Sequence, residues 1–307
     1  MGTKRFWILL MLIISFLIFG TSLAFAAIGN NLAVLQPAGE VGQIQGELLV
    51  FSLLLSLTVI IPVFALTLFI AVRYREGNTK ASYRPDWSHS KMLEIVWWGI
   101  PIILIGILSV IIWQSSHSLD PSKPLTSSQP PVKVQVIALQ WRWLFIYPEQ
   151  GVASVNRLEV PINRPIEFKI TADAPMNSFW IPKLGGQIYA MPGMATTLNL
   201  NATESGKYTG LSTNISGEGY ADMQFPVYAR SPEGFEEWVK RTSKLNSVLT
   251  TTEYAQLAQP QRNTAELMFA KVEDGLFDRV VNKYMMPSVE PNTTKIPFSN
   301  HTITGGY

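Results

Sequence analysis

Apolar residues crowd into the first third of the chain. The stretches from Arg5 to Ala27, Leu48 to Val72 and Met92 to Trp113 are almost wholly apolar, whereas beyond Ser115 charged residues, Pro and Gly interrupt every apolar run. Crossing about 30 Å of hydrocarbon takes roughly 20 such residues in a helix. The second stretch holds no charge and the third only Glu94, near its start, so both are predicted to be transmembrane helices, over about residues 48–72 and 92–114. Pro62 and Pro101 fall inside them. Membrane helices tolerate Pro where neighbouring helices satisfy the freed carbonyl, and a kink is expected at each.

The first stretch differs. Lys4 and Arg5 precede it and it closes on Ala24-Phe25-Ala26, the small-x-small pattern that signal peptidase reads. Residues 1–26 are therefore expected to be a removed signal peptide, with a retained third helix as the alternative, and residues 27–114 form the hairpin region. Basic residues set its orientation, because cytoplasmic loops are enriched in Lys and Arg. Arg73, Arg75, Lys80, Arg84 and Lys91 lie between the two spans, against only Lys123 from Gln114 to Val132. The connecting loop is expected inside and everything after Ser115 outside. Topology accounts for the basic residues, so a net charge of +2 gives no reason to expect a nucleic-acid partner.

From Val132 the pattern changes to period two, with Val132, Val134, Val136 and Ala138 on one face of a predicted strand. Leu139, Trp141, Trp143, Phe145 and Tyr147 then occupy the opposite phase, which suggests a bulge or a strand passing between two sheets. Pro148 to Gly151 reads as a turn. Short strands are predicted around 158–160, 166–171, 179–181, 196–200, 208–212 and 223–228, separated by Pro, Gly and Asn clusters, which makes residues 130–229 an all-β sandwich or barrel. Residues 230–287 turn helical, starting with Ser231-Pro232 as cap and first position, followed by an apolar face of Phe235, Trp238 and Val239. A second amphipathic run holds Leu276, Phe277, Val280, Val281 and Tyr284. Residues 288–307 are rich in Thr, Asn and Pro without periodicity and are expected to be disordered.

The chemistry open to this domain is narrow. The chain has no Cys, and its three His residues, His89, His117 and His301, all lie outside the predicted sandwich. Blue or binuclear copper requires thiolate and imidazole together. A serine hydrolase requires a base that the domain does not offer. Glu233, Glu236 and Glu237 read as a solvated helix face rather than an acid–base pair. Met176, Met191, Met194 and Met223 keep open a copper-binding or assembly module anchored in the membrane, although filling gaps in a core is the commoner use of Met.

Two spans followed by a β-sandwich resemble subunit II of the haem–copper oxidases, and the segment from Asn177 to Met223 makes the resemblance specific. In the copper-containing members a His precedes an Ile-Pro pair, and a Cys-x-Glu-x-Cys-x-x-x-His-x-x-Met loop supplies the remaining ligands. Here the first stretch reads Asn177-Ser178-Phe179-Trp180-Ile181-Pro182. In the second, Ser212 and Ser216 stand at the Cys positions, Asn214 at the Glu, Tyr220 at the second His, and only Met223 keeps its type.

That substitution pattern resembles the quinol oxidase branch, in particular the bo-type ubiquinol oxidases. Residues 83–89, Pro121-Ser122-Lys123-Pro124, Trp141-Arg142-Trp143, 145–151 and Ile188-Tyr189-Ala190-Met191 are similar to that branch too, as are the aromatic-rich helices after Ala229. The N-terminus departs from it, since the bo-type pattern carries a lipoprotein Cys.

The resemblance implies a two-helix transmembrane hairpin, a cupredoxin-like sandwich without copper ligands and a helical extension, in the bacterial inner membrane with the C-terminal domain periplasmic. It implies a non-catalytic subunit of a proton-pumping quinol oxidase, assembled with subunit I and smaller subunits. No cofactor is expected on this chain: haems, oxygen-reducing copper and quinol oxidation belong to subunit I. Glu94 matches a glutamate at the mouth of a proton channel into subunit I, against the plainer reading of an interfacial Glu paired with Lys91. Trp141 and Trp143 read as core packing, since a relay has no copper behind it. A menaquinol oxidase of the aa type is the nearest alternative.

Overall fold

The computed structural model describes residues 32–82, 86–262 and 265–285; the expected signal peptide and tail lie outside these. Two long helices come first, α1 (Glu40–Arg73) and α2 (Lys91–Ser118), and each continues through its Pro. Both are long and apolar enough to cross a membrane. Side chains such as Leu54, Phe64, Trp97 and Ile103 are exposed all round them, as suits a helix meeting lipid or partner helices rather than water.

α1 starts at Glu40, well before the predicted span, because its first turns pack on the sandwich. The Gly42 amide donates to the Leu184 carbonyl (3.0 Å), Ala38 to Lys183 (2.7 Å), and Asn201 Oδ1 accepts from the Glu40 amide (2.9 Å). Close approach demands glycine here. Gly185 has φ +88°, and a Cβ on it would lie 2.6 Å from the Gly42 nitrogen.

Thirteen strands among the described residues follow. One sheet has the order β12-β3-β2-β1-β5-β8, the second β4-β10-β9-β6-β7, and β11 and β13 form a small pair. Their ranges are β1 Val132–Leu139, β2 Arg142–Tyr147, β3 Val152–Val155, β4 Leu158–Pro161, β5 Pro165–Ala172, β6 Asn177–Ile181, β7 Gly185–Ala190, β8 Thr196–Asn201, β9 Gly206–Ser212 and β10 Gln224–Arg230. β11 (Val248–Leu249), β12 (Leu267–Phe269) and β13 (Lys271–Val272) come from the extension, which is therefore not wholly helical.

The aromatic phase change at Leu139 is neither a bulge nor a sheet crossing. β1 and β2 form an antiparallel hairpin with Leu139 opposite Arg142, and Trp141 turns the corner at φ +67°. Val136 pairs with Phe145 and Ala138 with Trp143, so even positions before the turn share a face with odd positions after it.

Both faces of this sheet are covered. Val134, Val136, Trp143, Phe145 and Phe168 point into the core between the sheets, whereas Ile137, Leu139, Leu144 and Ile146 pack under the extension. The extension supplies α3 (Pro232–Thr242), α4 (Thr251–Leu257) and α5 (Leu276–Lys283). α3 is capped by Ser231, whose hydroxyl accepts from the Gly234 amide (3.1 Å). Its Phe235 and Trp238 close the sandwich core against Tyr147, with Tyr147–Trp238 ring centroids 5.0 Å apart.

Candidate functional site

Asn177, at the start of β6, and Ser212, at the end of β9, come together because the two strands pair, with Phe179 opposite Ser212. The loop from β9 to β10 then returns Ser216 and Met223 to the same spot. Asn177 is fully buried, and Ser212, Ser216 and Met223 are nearly so. The Asn177 amide oxygen accepts from both serine hydroxyls, Ser212 at 3.1 Å and Ser216 at 2.9 Å, while its NH2 donates to the Pro175 carbonyl at 2.8 Å. Ser216 also lies 3.8 Å from the Met223 sulfur. Four of the six positions that the resemblance sets at copper ligands thus form one buried hydrogen-bonded cluster.

The other two stand apart. Asn214 is half-buried and donates to the Met176 carbonyl (2.7 Å), which ties the loop to the approach to β6. Tyr220 sits half-exposed in a 3-10 turn, Tyr220–Asp222, and its phenol makes no hydrogen bond among the described residues. An amide and two hydroxyls are poor partners for copper, a lone thioether does not hold it, and here the oxygens satisfy one another. Among the described residues no group of three or more His, Cys, Asp or Glu converges to hold a metal. Of the methionines considered, Met223 is buried, Met191 half-buried, and Met176 and Met194 exposed.

Aromatic rings wall the cluster on the core side. Phe179 stacks on Phe225 at 5.7 Å, Trp143 meets Phe179 edge-on at 5.4 Å, and the Trp143 indole donates to the Met223 carbonyl (3.3 Å). Trp143 is core, as its sequence pattern suggests, but Trp141 is not fully so. Its indole donates to the Ser216 carbonyl (3.1 Å) and its ring lies on Gly219, where a Cβ would come within 2.4 Å. The extension also reaches this loop. Arg262 donates to the Glu218 carbonyl and stands 3.7 Å from the Asp222 carboxylate, and Arg142 donates to Gln261.

Two further polar centres have no sequence signal, because each draws on residues far apart in the chain. Asp173, buried at the end of β5, accepts from the Tyr254 hydroxyl and from Lys283 (each 2.7 Å), and from Tyr284. Burial alone would raise its pKa, but the three donors outweigh that and hold the carboxyl below its usual range. Burial, together with the same carboxylate, raises the Tyr254 phenol. Glu159, fully buried, meets Arg157 at 2.5 Å and also pairs with Arg230. Glu94 lies in the first turn of α2, exposed, and forms no ion pair with Lys91 or with any other described residue.

Residues 148–230 match the family described as Cytochrome C oxidase subunit II, periplasmic domain, and residues 245–288 match the COX Aromatic Rich Motif. The class is therefore that of oxidase second subunits with a cupredoxin-like domain. Within it, the ubiquinol oxidase subunit 2 of Acetobacter aceti is 47% identical over 267 residues, 86% of this chain and 87% of that protein. The cytochrome bo(3) ubiquinol oxidase subunit 2 of Pseudomonas aeruginosa is 44% identical over 256 residues, 83% of this chain and 77% of that protein. A quinol oxidase subunit 2 of Bacillus cereus is 38% identical over 259 residues, 84% of this chain and 87% of that protein. The chain belongs to the quinol oxidase subunit 2 family.

Proposed function

We propose that this chain is the non-catalytic second subunit of a proton-pumping ubiquinol oxidase, and that the Asn177 cluster stands where copper-containing members of the wider family hold their metal. The observation that carries this reading is the convergence of Asn177, Ser212, Ser216 and Met223 on one buried point with no thiolate or imidazole among them. A quinol dissolved in the bilayer can deliver electrons directly to a membrane-embedded partner, which makes an outer metal relay unnecessary. Haems and oxygen-reducing copper then belong to subunit I. What falls to this chain is packing two helices against that subunit and covering its outer side.

The excess of Lys and Arg between the two spans favours a periplasmic sandwich in the inner membrane. Ubiquinol is favoured over menaquinol by the names of the relatives in Acetobacter aceti and Pseudomonas aeruginosa. Glu94, exposed in the first turn of α2, supplies a carboxylate at the cytoplasmic membrane surface, where we place the entrance of a proton channel into subunit I. Copper titration tests the central claim. The chain, isolated from the purified complex, is expected to take up no copper stoichiometrically, and tight binding of one or two copper ions would overturn the reading.

A further inference from the structure

The Pro121-Ser122-Lys123-Pro124 segment has no part in the chemistry above. It runs on from the sandwich-side end of α2 and, with the first turns of α1 and residues of β7 and β8, lines a cavity of about 230 Å³ that is open to solvent. One water needs roughly 10–15 Å³ of such space, so this cavity takes a far larger guest. Its wall is held in place rather than loose: Asn199 donates from its side chain to the Pro121 and Ser122 carbonyls at 3.2 and 3.1 Å, and from its amide to Pro121 at 2.9 Å.

Its height in the membrane follows from helix length. The 28 residues of α2, at 1.5 Å each, span about 42 Å. A whole bilayer with its headgroups is about 40–45 Å thick. The end of α2 and the segment after it therefore stand in a headgroup layer. α1 agrees, since Glu40 to Glu47 precede its charge-free stretch and rise roughly 12 Å above the hydrocarbon.

The lining is amphiphilic. Val41, Leu119 and Leu198 supply an apolar side; Glu40, Asp120, Lys123 and Gln45 supply a polar one. Lys123 forms no ion pair among the described residues. Gln45 accepts from the Gly186 amide through its oxygen (3.1 Å), which leaves its NH2 as a donor. Asp120 accepts from the Ser122 hydroxyl (2.7 Å) and amide (2.9 Å), which keeps it ionised. Two carboxylates against one ammonium repel a wholly anionic headgroup but suit one that carries both signs.

We propose that this cavity binds the headgroup of a zwitterionic, amine-bearing phospholipid, its phosphate against Lys123 and the Gln45 amide and its ammonium against Glu40 and Asp120. The proposal rests on the reading of α1 and α2 as membrane spans, but not on the electron donor or on which side the sandwich faces. Native mass spectrometry of the purified complex, equilibrated with phosphatidylethanolamine or phosphatidylglycerol, tests it without reference to either.

The complex is expected to retain phosphatidylethanolamine in preference. Lys123→Ala should lower that retention roughly three- to fivefold, the scale of one exposed ion pair. Glu40→Gln with Asp120→Asn should remove the preference, while haem content reports that each variant has assembled. Equal retention of the two lipids by the unaltered complex, or variants that match it, would overturn the proposal. Displacement of the lipid by inorganic phosphate alone would also overturn it, since that marks a simple anion site.

Discussion

Replacing Asn177 by Ala removes the acceptor on which the buried cluster closes. Three hydrogen bonds are lost, from Ser212, from Ser216 and to the Pro175 carbonyl. At a net of about 1 kcal/mol each, the loss is about 3 kcal/mol. Some returns if the hydroxyls turn to weaker partners, Ser212 to the Asn214 carbonyl at 3.4 Å and Ser216 to the Met223 sulfur at 3.8 Å. A local loss of about 2–3 kcal/mol should raise the opening of the loop between β9 and β10 by roughly 30- to 150-fold.

Hydrogen exchange in the intact complex reads this directly. The Ser212 and Thr213 amides bond to Met223 and Ser178, and Met223 bonds to Tyr220, so the peptide covering 212–223 should exchange faster by that factor. Quinol-driven oxygen uptake should stay near its unaltered value, because the cluster passes no electrons. Asn177→Leu together with Ser212→Ala and Ser216→Ala should cost less than the separate changes combined, since no serine hydroxyl is then left without its Asn177 acceptor. Exchange raised less than about threefold by Asn177→Ala would refute the hydrogen-bond accounting, and collapse of quinol turnover in an assembled complex would refute the silent role of the cluster.

Acid should loosen the extension through Asp173. Its lowered native pKa contributes stability that is complete above the unfolded carboxyl value of about 3.9 and lost as pH falls through the native one. Proteolysis of α4 and α5 should therefore rise only below about pH 4, and Asp173→Asn should abolish that acid step; an unchanged step would exonerate the carboxylate. Lys283, whose pKa is raised mainly by its bond to Asp173, acts in the opposite sense, its contribution lost as pH rises beyond the ordinary lysine range. Glu159→Ala leaves Arg157 and Arg230 without their shared buried carboxylate and should cost roughly 3 kcal/mol, seen as a lower level of assembled complex in membranes. Glu94→Ala should slow quinol turnover severalfold while haem content and assembly stay normal, and unchanged turnover would return Glu94 to an ordinary interfacial role.

What the sequence made legible depended on how coarse the governing physics is. The two membrane helices follow from a length threshold in apolar residues, and the sandwich from period-two runs such as Val132 to Ala138. The β1–β2 corner was misread because Gln140 and Trp141 carry no turn chemistry of the Asn-Gly kind, and the positive φ falls on a tryptophan. β7 was missed because Gly185 and Gly186 read as loop, whereas their bareness serves the approach of α1. α4 begins within a run of threonines and is too short to declare a period.

The candidate cluster was legible only as aligned positions. The donors and acceptors within it, and the absence of Tyr220 from it, depend on how a long loop folds back. Asp173 and its partners lie 81 to 111 residues apart, a distance no local pattern spans.

Oxygen consumption by the purified complex, with a ubiquinol analogue and then with reduced cytochrome c as donor, tests the central claim most directly. Rapid turnover with quinol and none with cytochrome c is the predicted result. Turnover with cytochrome c would contradict the account, because electrons would then enter through an outer acceptor that Asn177, Ser212, Ser216 and Met223 have no means to hold.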